Sequence, residues 1–250
     1  MFFAVGAVWL SAPAARATTY APDAVLPADY VLGPTTPGKW GPPVFGTGAT
    51  VTWSLMSNGL SCAAEFAGCT ITALSGFMPG GFLAEIQAAF TAWESVADLL
   101  FLQVADCGAA LNAPCGGGDI RLGGHAFDGP SGTLAHAFFA PVNGLSAAGD
   151  VHFDIAETWK IGFGGPGFDI FQAAVHEIGH ALGLNHTGVP NSLMNMSYTE
   201  AFSGPQADDV AGMQFIYGPS LAQDVPEPGS VALFSAGMAL LAMFRRMRRY

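Results

Sequence analysis

The sequence predicts an α+β domain, and three observations lead to that fold class. The chain has 250 residues, of which 51% are apolar, so one substantial domain with its own core is expected. Segments with strand and helix periodicity occur in an uneven order: one strand, one helix, several strands and then two helices. Doubly wound folds alternate strand and helix regularly, and that pattern is absent here.

The first predicted strand is residues 49–56, where ATVTWSLM alternates and is rich in β-branched and aromatic residues. A helix is expected between Gly81 and Phe101 because apolar side chains recur there at helical spacing. These side chains are Leu83, Ile86, Phe90, Trp93, Ala97 and Leu100. Short strand candidates follow at FLQVAD, DIRLGG, TLAHAFFA and DVHFDIA.

Two helices close the predicted domain. The first begins near Asp169, which can cap its amino end, and runs through a cluster of histidines to Gly183. The second starts after the segment SGPQ, where Ser203 and Gln206 have capping-box spacing. Gly218 is expected to end this last helix.

The charge of the chain excludes one class of function. Its formal net charge is −11, and four of its eight basic residues lie in the last six positions. The rest of the chain is therefore more acidic still, which opposes binding to nucleic acid and to anionic membranes. Acidity of this kind can also reflect bound calcium.

The four cysteines are expected to form local disulfides. By proximity they pair as Cys62 with Cys69 and Cys107 with Cys115, which is one of three possible connectivities. Neither pair has the C-x-x-C spacing of a zinc knuckle. Disulfides in an exported protein are therefore favoured over reduced thiols in the cytosol.

Residues 1–17 are predicted to be a secretory signal peptide, because a short apolar run is followed by small residues ending in Ala15-Arg16-Ala17. No basic residue precedes the run, and the alternative is a buried N-terminal strand. Residues 18–47 are rich in Pro, Gly and Thr with little periodicity. They are expected to form an extended lead-in to a domain at 48–220.

The end of the chain, residues 225–250, combines three features in order: the tripeptide PEP, an apolar run at 229–244 and a cluster of arginines. The run is short for a membrane-spanning helix, although arginines beside it can snorkel and keep that end cytoplasmic. This order resembles the PEP-CTERM sorting signal of Gram-negative bacteria. The resemblance implies an exported or cell-surface protein, transiently anchored in the inner membrane and processed by an exosortase. A plain membrane anchor is the alternative.

One segment, HEIGHALGLNH, carries the predicted chemistry. On a helix, His176 and His180 lie one turn apart on the same face, so both imidazoles can reach one zinc ion. Gly183 permits a left-handed residue that ends the helix, so His186 can supply a third ligand. Three neutral imidazoles leave the charge of the ion undiminished, which predicts an open site that acidifies water.

Glu177 is predicted to be the general base of this site, because it lies near the open side of the metal without being forced into ligation. The expected reaction is peptide hydrolysis, in which Glu177 takes a proton from zinc-activated water and passes it to the leaving amine. A zinc-bound but inactive protein is the main alternative, and the presence of Glu177 argues against it. A helix with surface histidines and no metal is another.

From Asp119 to Gly218 the sequence resembles the metzincins, and among them the matrixins. The segments DIRL, FDGPSGTLAHAF, GDVHFDIAETW, the histidine motif and ADDVAGMQFIYG carry the resemblance. It implies a secreted zinc-dependent endopeptidase with a twisted, mostly parallel five-stranded sheet, three helices and a cleft above the zinc. It also implies that a substrate peptide adds to the edge strand at TLAHAFFA.

The resemblance further implies a methionine beneath the zinc. The segment SLMNMSY offers Met194 or Met196, and Met194 is chosen because Leu193-Met194 falls where the family has its Leu-Met pair. The proline usual two residues later is replaced by Met196. Tyr198 is expected to line the wall of the substrate pocket.

Two structural metal sites are also implied by the resemblance. A calcium ion would be held in an all-oxygen shell by Asp128, Gly129, Ser131, Thr133, Asp154 and Glu157. A second zinc would use His136 and His152, with His125 in place of one family ligand and no counterpart for the other. The alternative for His136 and His152 is a pair of ordinary strand histidines.

A second class of function stays open on the sequence alone. A non-catalytic cell-surface or biofilm-matrix protein could use the same metal-stabilised scaffold for binding. Zinc content does not separate the two classes, whereas peptide hydrolysis that depends on Glu177 does.

Overall fold

The helices and strands lie within residues 7–11, 31–32, 38–114, 116–140 and 146–221, which are the residues that the computed structural model describes. In chain order the strands are β1 (Ala7–Ser11), β2 (Val31–Leu32), β3 (Ala49–Leu55), β4 (Leu99–Gln103), β5 (Ile120–His125), β6 (Thr133–Phe138), β7 (Val151–Asp154), β8 (Trp159–Lys160), β9 (Phe168–Asp169) and β10 (Leu184–Asn185). The helices are α1 (Phe82–Glu94), α2 (Ile170–Ala181) and α3 (Ala207–Tyr217), and Leu74–Gly76 form a 3-10 turn.

The central sheet is mixed, with the strand order β1-β6-β7-β5-β3-β4. Strands β4, β3, β5 and β7 are parallel, whereas β6 runs antiparallel to β7. The predicted α+β architecture, a mostly parallel five-stranded sheet with three helices, is therefore confirmed for β3 to β7. The buried side chains of α1 and α2 share one core with those of the sheet.

A sixth strand lies on the outer edge of β6. The backbone of β1 pairs antiparallel with β6, from Ala7 opposite Phe138 to Ser11 opposite Thr133. This strand belongs to the segment predicted to be a signal peptide. The predicted cleavage site at residues 15–17 lies outside the described residues.

Helix α1 is shorter than its apolar period predicts. It ends at Glu94, so Ala97 and Leu100 do not belong to its buried face. Leu100 instead lies in β4 with 52% of its surface exposed. The side chain of Glu94 accepts a hydrogen bond of 2.6 Å from the backbone N–H of Phe101, which fixes the turn from helix to strand. The helical spacing of Leu100 is therefore coincidental.

Helix α2 begins and ends as predicted. The carboxylate of Asp169 accepts the backbone N–H of Gln172 at 2.8 Å, which satisfies one of the free donors of the first turn. Beyond the helix, Gly183 has a φ of 115°, and a Cβ there would clash with the carbonyl oxygen of Gly38. Glycine is needed at this position both for its conformation and for its lack of a side chain.

The cap of α3 differs from the prediction. Gln206, not Ser203, is the N-cap residue, and its capping-box partner is Asp209. Ser203 lies before the helix. The sequence offers capping-box spacing twice, from Ser203 to Gln206 and from Gln206 to Asp209. The second pair forms the cap, because the Asp209 carboxylate accepts the backbone N–H of Gln206 at 2.7 Å. Gly218 follows the helix with a φ of 81°, as expected.

The end of the predicted lead-in packs on the helices. The indole N–H of Trp40 donates to the carbonyl of Ala181 at 2.9 Å, and its backbone N–H donates to the hydroxyl of Tyr217 at 3.1 Å. Lys39 is buried beside it. Strand β2 pairs with β10, which directly follows α2.

The predicted disulfide between Cys62 and Cys69 is confirmed. Cys107 is also disulfide-bonded, while Cys115 lies outside the described residues. Among the helices of the described part of the chain, none combines the length and apolar character that crossing a membrane requires. The predicted sorting tail at 225–250 falls outside that part.

Candidate functional site

Three histidines converge at the carboxyl end of α2, and we call them the first histidine group (His176, His180 and His186). Their Nε2 atoms lie 3.0 Å apart for His180 and His176 and 3.2 Å apart for His176 and His186. Two nitrogens bound tetrahedrally to one zinc ion lie about 3.3 Å apart, since each Zn–N bond is about 2.0–2.1 Å. The three imidazoles therefore fit a single zinc ion.

Backbone carbonyls that contact Nδ1 of His176 and His180 determine which nitrogen of each ring carries the proton. Nδ1 of His176 lies 2.7 Å from the carbonyl oxygen of Leu193, and Nδ1 of His180 lies 2.7 Å from that of Leu184. A carbonyl only accepts, so both Nδ1 atoms carry the proton and both Nε2 atoms present a lone pair to the centre. Burial lowers the pKa of His176 to about 3 and that of His186 to about 4, which keeps these rings neutral.

Glu177 is fully buried next to the first histidine group. Neither of its carboxylate oxygens has a hydrogen-bond partner among the described residues. Burial raises the pKa of this carboxyl well above its ordinary value. An ionised carboxylate in such a place is costly unless a cation lies nearby, which is consistent with a metal bound by the adjacent imidazoles.

Met194 lies against the helix that carries the zinc motif. It is buried, and a Cβ placed on Gly179 would come within 2.6 Å of its sulfur atom. Gly179, the third residue of the helical motif after His176, is therefore needed for this close approach. Met196, the other candidate, is 54% exposed.

Asp209, which sequence reasoning missed, holds the loop that contains Met194. Its carboxylate accepts the hydroxyl of Ser192 and the backbone N–H groups of Leu193 at 2.7 Å and Met194 at 3.0 Å. The carbonyl of Leu193 in turn orients His176. The only signal in the sequence is an acidic residue at the third position of a helix, which by itself indicates a cap.

A pocket opens beside His176. It is lined by Gln172, His176, Leu193, Ser197, Tyr198 and Thr199. The hydroxyl of Tyr198 accepts the backbone N–H of Asp169 at 2.8 Å and donates to Glu200 at 2.7 Å. The structure thus brings Tyr198, the predicted pocket residue, to the pocket wall and ties it to the cap of α2.

The predicted calcium ligands lie on the segment that joins β5 to β6 and around the end of β7. The Asp128 carboxylate accepts the backbone N–H of Thr133 at 3.0 Å, and Glu157 accepts that of Ser131 at 2.7 Å. Gly129 and Ser131 both have a left-handed backbone, with φ of 91° and 64°. Burial, with a smaller contribution from Asp128, raises the pKa of the Asp154 carboxyl. Burial first, and then Asp154 and Asp128, raise the pKa of the Glu157 carboxyl, so the three carboxyl groups lie in one region of the molecule.

The structure also brings together the other three histidines, His125, His136 and His152, which we call the second histidine group. His136 and His152 are directly opposite in the β6–β7 register, and His125 ends the neighbouring strand β5. A carboxylate from a distant part of the chain, Glu65, lies among them, 2.6 Å from Nδ1 of His152 and 2.9 Å from Nε2 of His125. Sequence reasoning missed Glu65.

Comparison with known proteins agrees with this geometry. The sequence profile of the matrixin family matches residues 79–218, and that of the PEP-CTERM protein-sorting motif matches residues 224–249. Matrix metalloproteinase-20 of Homo sapiens is 44% identical over 138 residues, which are 54% of this chain and 27% of that protein. Interstitial collagenase of Bos taurus is 41% identical over 138 residues, 54% of this chain and 28% of that protein. Stromelysin-3 of Mus musculus is 40% identical over 149 residues, 57% of this chain and 28% of that protein. The chain thus spans about a quarter of the length of these relatives.

Proposed function

Since the chain belongs to the matrixin family, we propose that it is an exported zinc-dependent endopeptidase whose catalytic zinc is held by the first histidine group. The observation that carries this proposal is the convergence of three imidazoles: Nε2 of His176 lies 3.0 Å from Nε2 of His180 and 3.2 Å from Nε2 of His186. In addition, Nδ1 of His176 and Nδ1 of His180 each lie within hydrogen-bond distance of a backbone carbonyl. Such preorganised neutral ligands favour an ion with an open coordination position.

A zinc ion in this place supplies a Lewis acid that acidifies water and polarises a carbonyl group. The carboxylate of Glu177 takes a proton from the attacking water and later gives it to the amine that leaves. Its buried environment raises the proton affinity that this role requires. The carbonyls of Leu193 and Leu184 keep the two helical imidazoles in one tautomer throughout.

The substrate is a peptide that we propose to bind in extended form along the outer edge of β6. The backbone of β1 supports this proposal, because it pairs antiparallel with β6 over five residue pairs. The same edge can pair with a peptide by main-chain hydrogen bonds. The pocket beside His176, with Tyr198 on its wall, then accepts one substrate side chain.

We propose that calcium stabilises the loop before β6. Asp128, Asp154 and Glu157 would supply carboxylate ligands, and the carbonyls of Gly129, Ser131 and Thr133 the neutral ones. Asp154 supports this assignment, since it is fully buried and one of its oxygens has no hydrogen-bond partner among the described residues.

The match of residues 224–249 to a protein-sorting motif supports export and delivery to the cell surface. We propose that an exosortase-type enzyme of a Gram-negative bacterium processes this tail after transient anchorage in the inner membrane. The acidic composition of the chain agrees with a partner that is a peptide rather than nucleic acid.

The decisive experiment compares the full chain with its Glu177→Gln variant on a peptide library, with zinc content measured for both. The amide keeps the shape of the side chain but cannot take a proton, so we expect the variant to keep zinc and lose about 100- to 10,000-fold in kcat/KM. Equal cleavage by both proteins would refute the general-base role. Zinc binding without cleavage by the wild type would favour the non-catalytic surface protein instead.

A further inference from the structure

Glu65 completes a four-membered cluster with the second histidine group. Its carboxylate oxygens lie 2.6 Å from Nδ1 of His152, 2.9 Å from Nε2 of His125 and 3.4 Å from Nε2 of His136. The Nε2 atoms of His136 and His125 are 3.5 Å apart. These separations lie around the value of about 3.3 Å expected for ligands of one tetrahedral zinc ion.

Hydrogen bonds among the facing atoms of this cluster leave some buried atoms unsatisfied in the described part of the chain. Nδ1 of His125 lies 3.1 Å from the carbonyl of Ala126, which only accepts, so in the neutral ring Nε2 carries a lone pair. That lone pair faces a carboxylate oxygen of Glu65. Nδ1 of His152 and Oε1 of Glu65 are 2.6 Å apart, and neither has a well-formed hydrogen bond among the described residues. A cation between these acceptors would satisfy all of them at once.

Burial of the cluster strengthens this argument. The side chains of His136 and His152 are fully buried, that of His125 is 2% exposed and that of Glu65 is 11% exposed. Aromatic rings pack around the cluster. The ring centroids of Phe127 and His125 are 4.4 Å apart, and those of Phe138 and His136 are 5.5 Å apart, both in edge-on geometry. A carboxylate held this far from water needs a positive partner.

Glu65 reaches the cluster because a disulfide loop, residues 62–69, carries it there. The bond between Cys62 and Cys69 closes the loop, and both cysteines are buried in a small core of their own. Two hydrogen bonds between Thr72 and Gly124, of 2.7 and 3.0 Å, fasten the following segment to β5. The loop lies before residue 79, where the match to the matrixin profile begins.

We propose that Glu65 is the fourth ligand of a second zinc centre, together with His125, His136 and His152, and that the Cys62–Cys69 disulfide holds this ligand in place. The centre takes an ion with nitrogen and oxygen ligands and four-coordinate geometry, as structural zinc sites do. Because all four positions are filled by protein, this ion has no open position for a substrate. Its occupancy depends on the oxidised state of the loop, which suits a protein exported into an oxidising compartment.

The test is the zinc content of the full chain after dialysis against a zinc buffer that strips loosely held metal. We expect about two zinc ions per wild-type chain and about one for Glu65→Gln. The matched control is Glu85→Gln, which removes a carboxylate on α1 outside both histidine groups and should keep both ions. About one zinc per wild-type chain, unchanged in Glu65→Gln, would overturn the proposal and leave Glu65 as a hydrogen-bond partner of protonated histidine.

Two further variants separate this centre from the catalytic one. His180→Ala should keep one zinc, and the double variant His180→Ala with Glu65→Gln should keep none, with folding checked by near-UV circular dichroism. If Glu65→Gln misfolds, Glu65→Asp supplies the second measurement, since a shorter carboxylate should weaken zinc binding without abolishing it. A wild type with two zinc ions and no peptide cleavage would refute the proposed function while supporting the present inference.

The role of the disulfide is tested by replacing both cysteines of the loop with serine. Loss of a group that orients a ligand commonly costs about 10- to 100-fold in metal affinity, and we expect a change of that size at the second centre only. Zinc affinity at this centre equal to that of the wild type would show that the disulfide does not position Glu65. The dependence on redox state would then be wrong.

Discussion

Asp209 joins the last helix to the loop beneath the first histidine group, and its removal gives the sharpest test of how that site is held. Its carboxylate accepts the Ser192 hydroxyl and the N–H groups of Leu193 and Met194. It also accepts the N–H of Gln206, the cap of α3. The substitution Asp209→Ala leaves these donors without their common acceptor.

The expected loss of stability follows from the number of buried donors. Each buried donor left unsatisfied costs about 1–3 kcal/mol, although the N–H of Met194 keeps a second acceptor in the hydroxyl of Ser192, 3.1 Å away. The total for Asp209→Ala is therefore about 3–5 kcal/mol, and Tm should fall by about 10 °C. Asp209→Asn keeps one carbonyl oxygen and should cost about half as much.

The loop that Asp209 holds also carries the acceptor of His176, so metal binding should change with stability. We expect zinc to dissociate about 10- to 100-fold more readily from Asp209→Ala than from the wild type. Thermal unfolding followed by circular dichroism and zinc release to a chelator measure the two effects. The control is Asp208→Ala, which removes a carboxylate from the same first turn of α3 but none of the four hydrogen bonds that Asp209 accepts, so it should cost less than Asp209→Ala. If Asp209→Ala had the same Tm and the same rate of zinc release as this control, the hydrogen bonds of Asp209 would not be what holds the loop.

Two further predictions concern calcium and the tail. In calcium-free buffer at pH 7, Asp154→Asn should raise Tm, because it removes one of three carboxylates that repel one another. With millimolar calcium the same substitution should lower Tm, because it removes a ligand. A change of Tm with the same sign in both buffers would contradict the calcium site. The pKa of Asp154 is raised in the folded chain, so its calcium-free penalty grows as pH rises above its unfolded pKa and should shrink on acidification toward pH 4, which thermal unfolding at several pH values would detect. Changing Pro226-Glu227-Pro228 to alanines should block processing of the tail, because alanine favours a helix and proline opposes one. Intact-mass measurement of the exported protein should find residues beyond 229 missing from the wild type and retained in the variant.

Local patterns in the sequence were sufficient to predict those helix ends that depend on the residues of a single segment. Asp169 caps α2 and Gly183 ends it, because both positions act on neighbouring backbone groups. The end of α1 could not be predicted in this way, since the apolar period continues by coincidence into β4 and only strand pairing reveals the boundary. The choice between Ser203 and Gln206 as a cap likewise needed the contact with Asp209.

The ligands of the first histidine group lie within eleven consecutive residues, so a helix and a turn are enough to bring them together. The histidines of the second group lie on three strands, and Glu65 beside them lies on the disulfide loop. Glu65 lies on the connection between β3 and α1, and its position depends on how that connection is fastened to β5, which no periodicity encodes. The resemblance matches ligands position by position and therefore left one place empty, where the structure puts Glu65 of another segment.

The pairing of β1 with β6 has a consequence for solubility. An uncovered edge strand presents a row of free N–H and C=O groups, and two copies of a protein can join through such rows. The outer edge of β6 cannot be blunted permanently by a bulge or by proline if peptides are to reach it. In the described structure residues 7–11 of the same chain cover that edge. While these residues remain attached, the sheet therefore offers a second copy of the protein no bare strand on the β6 side.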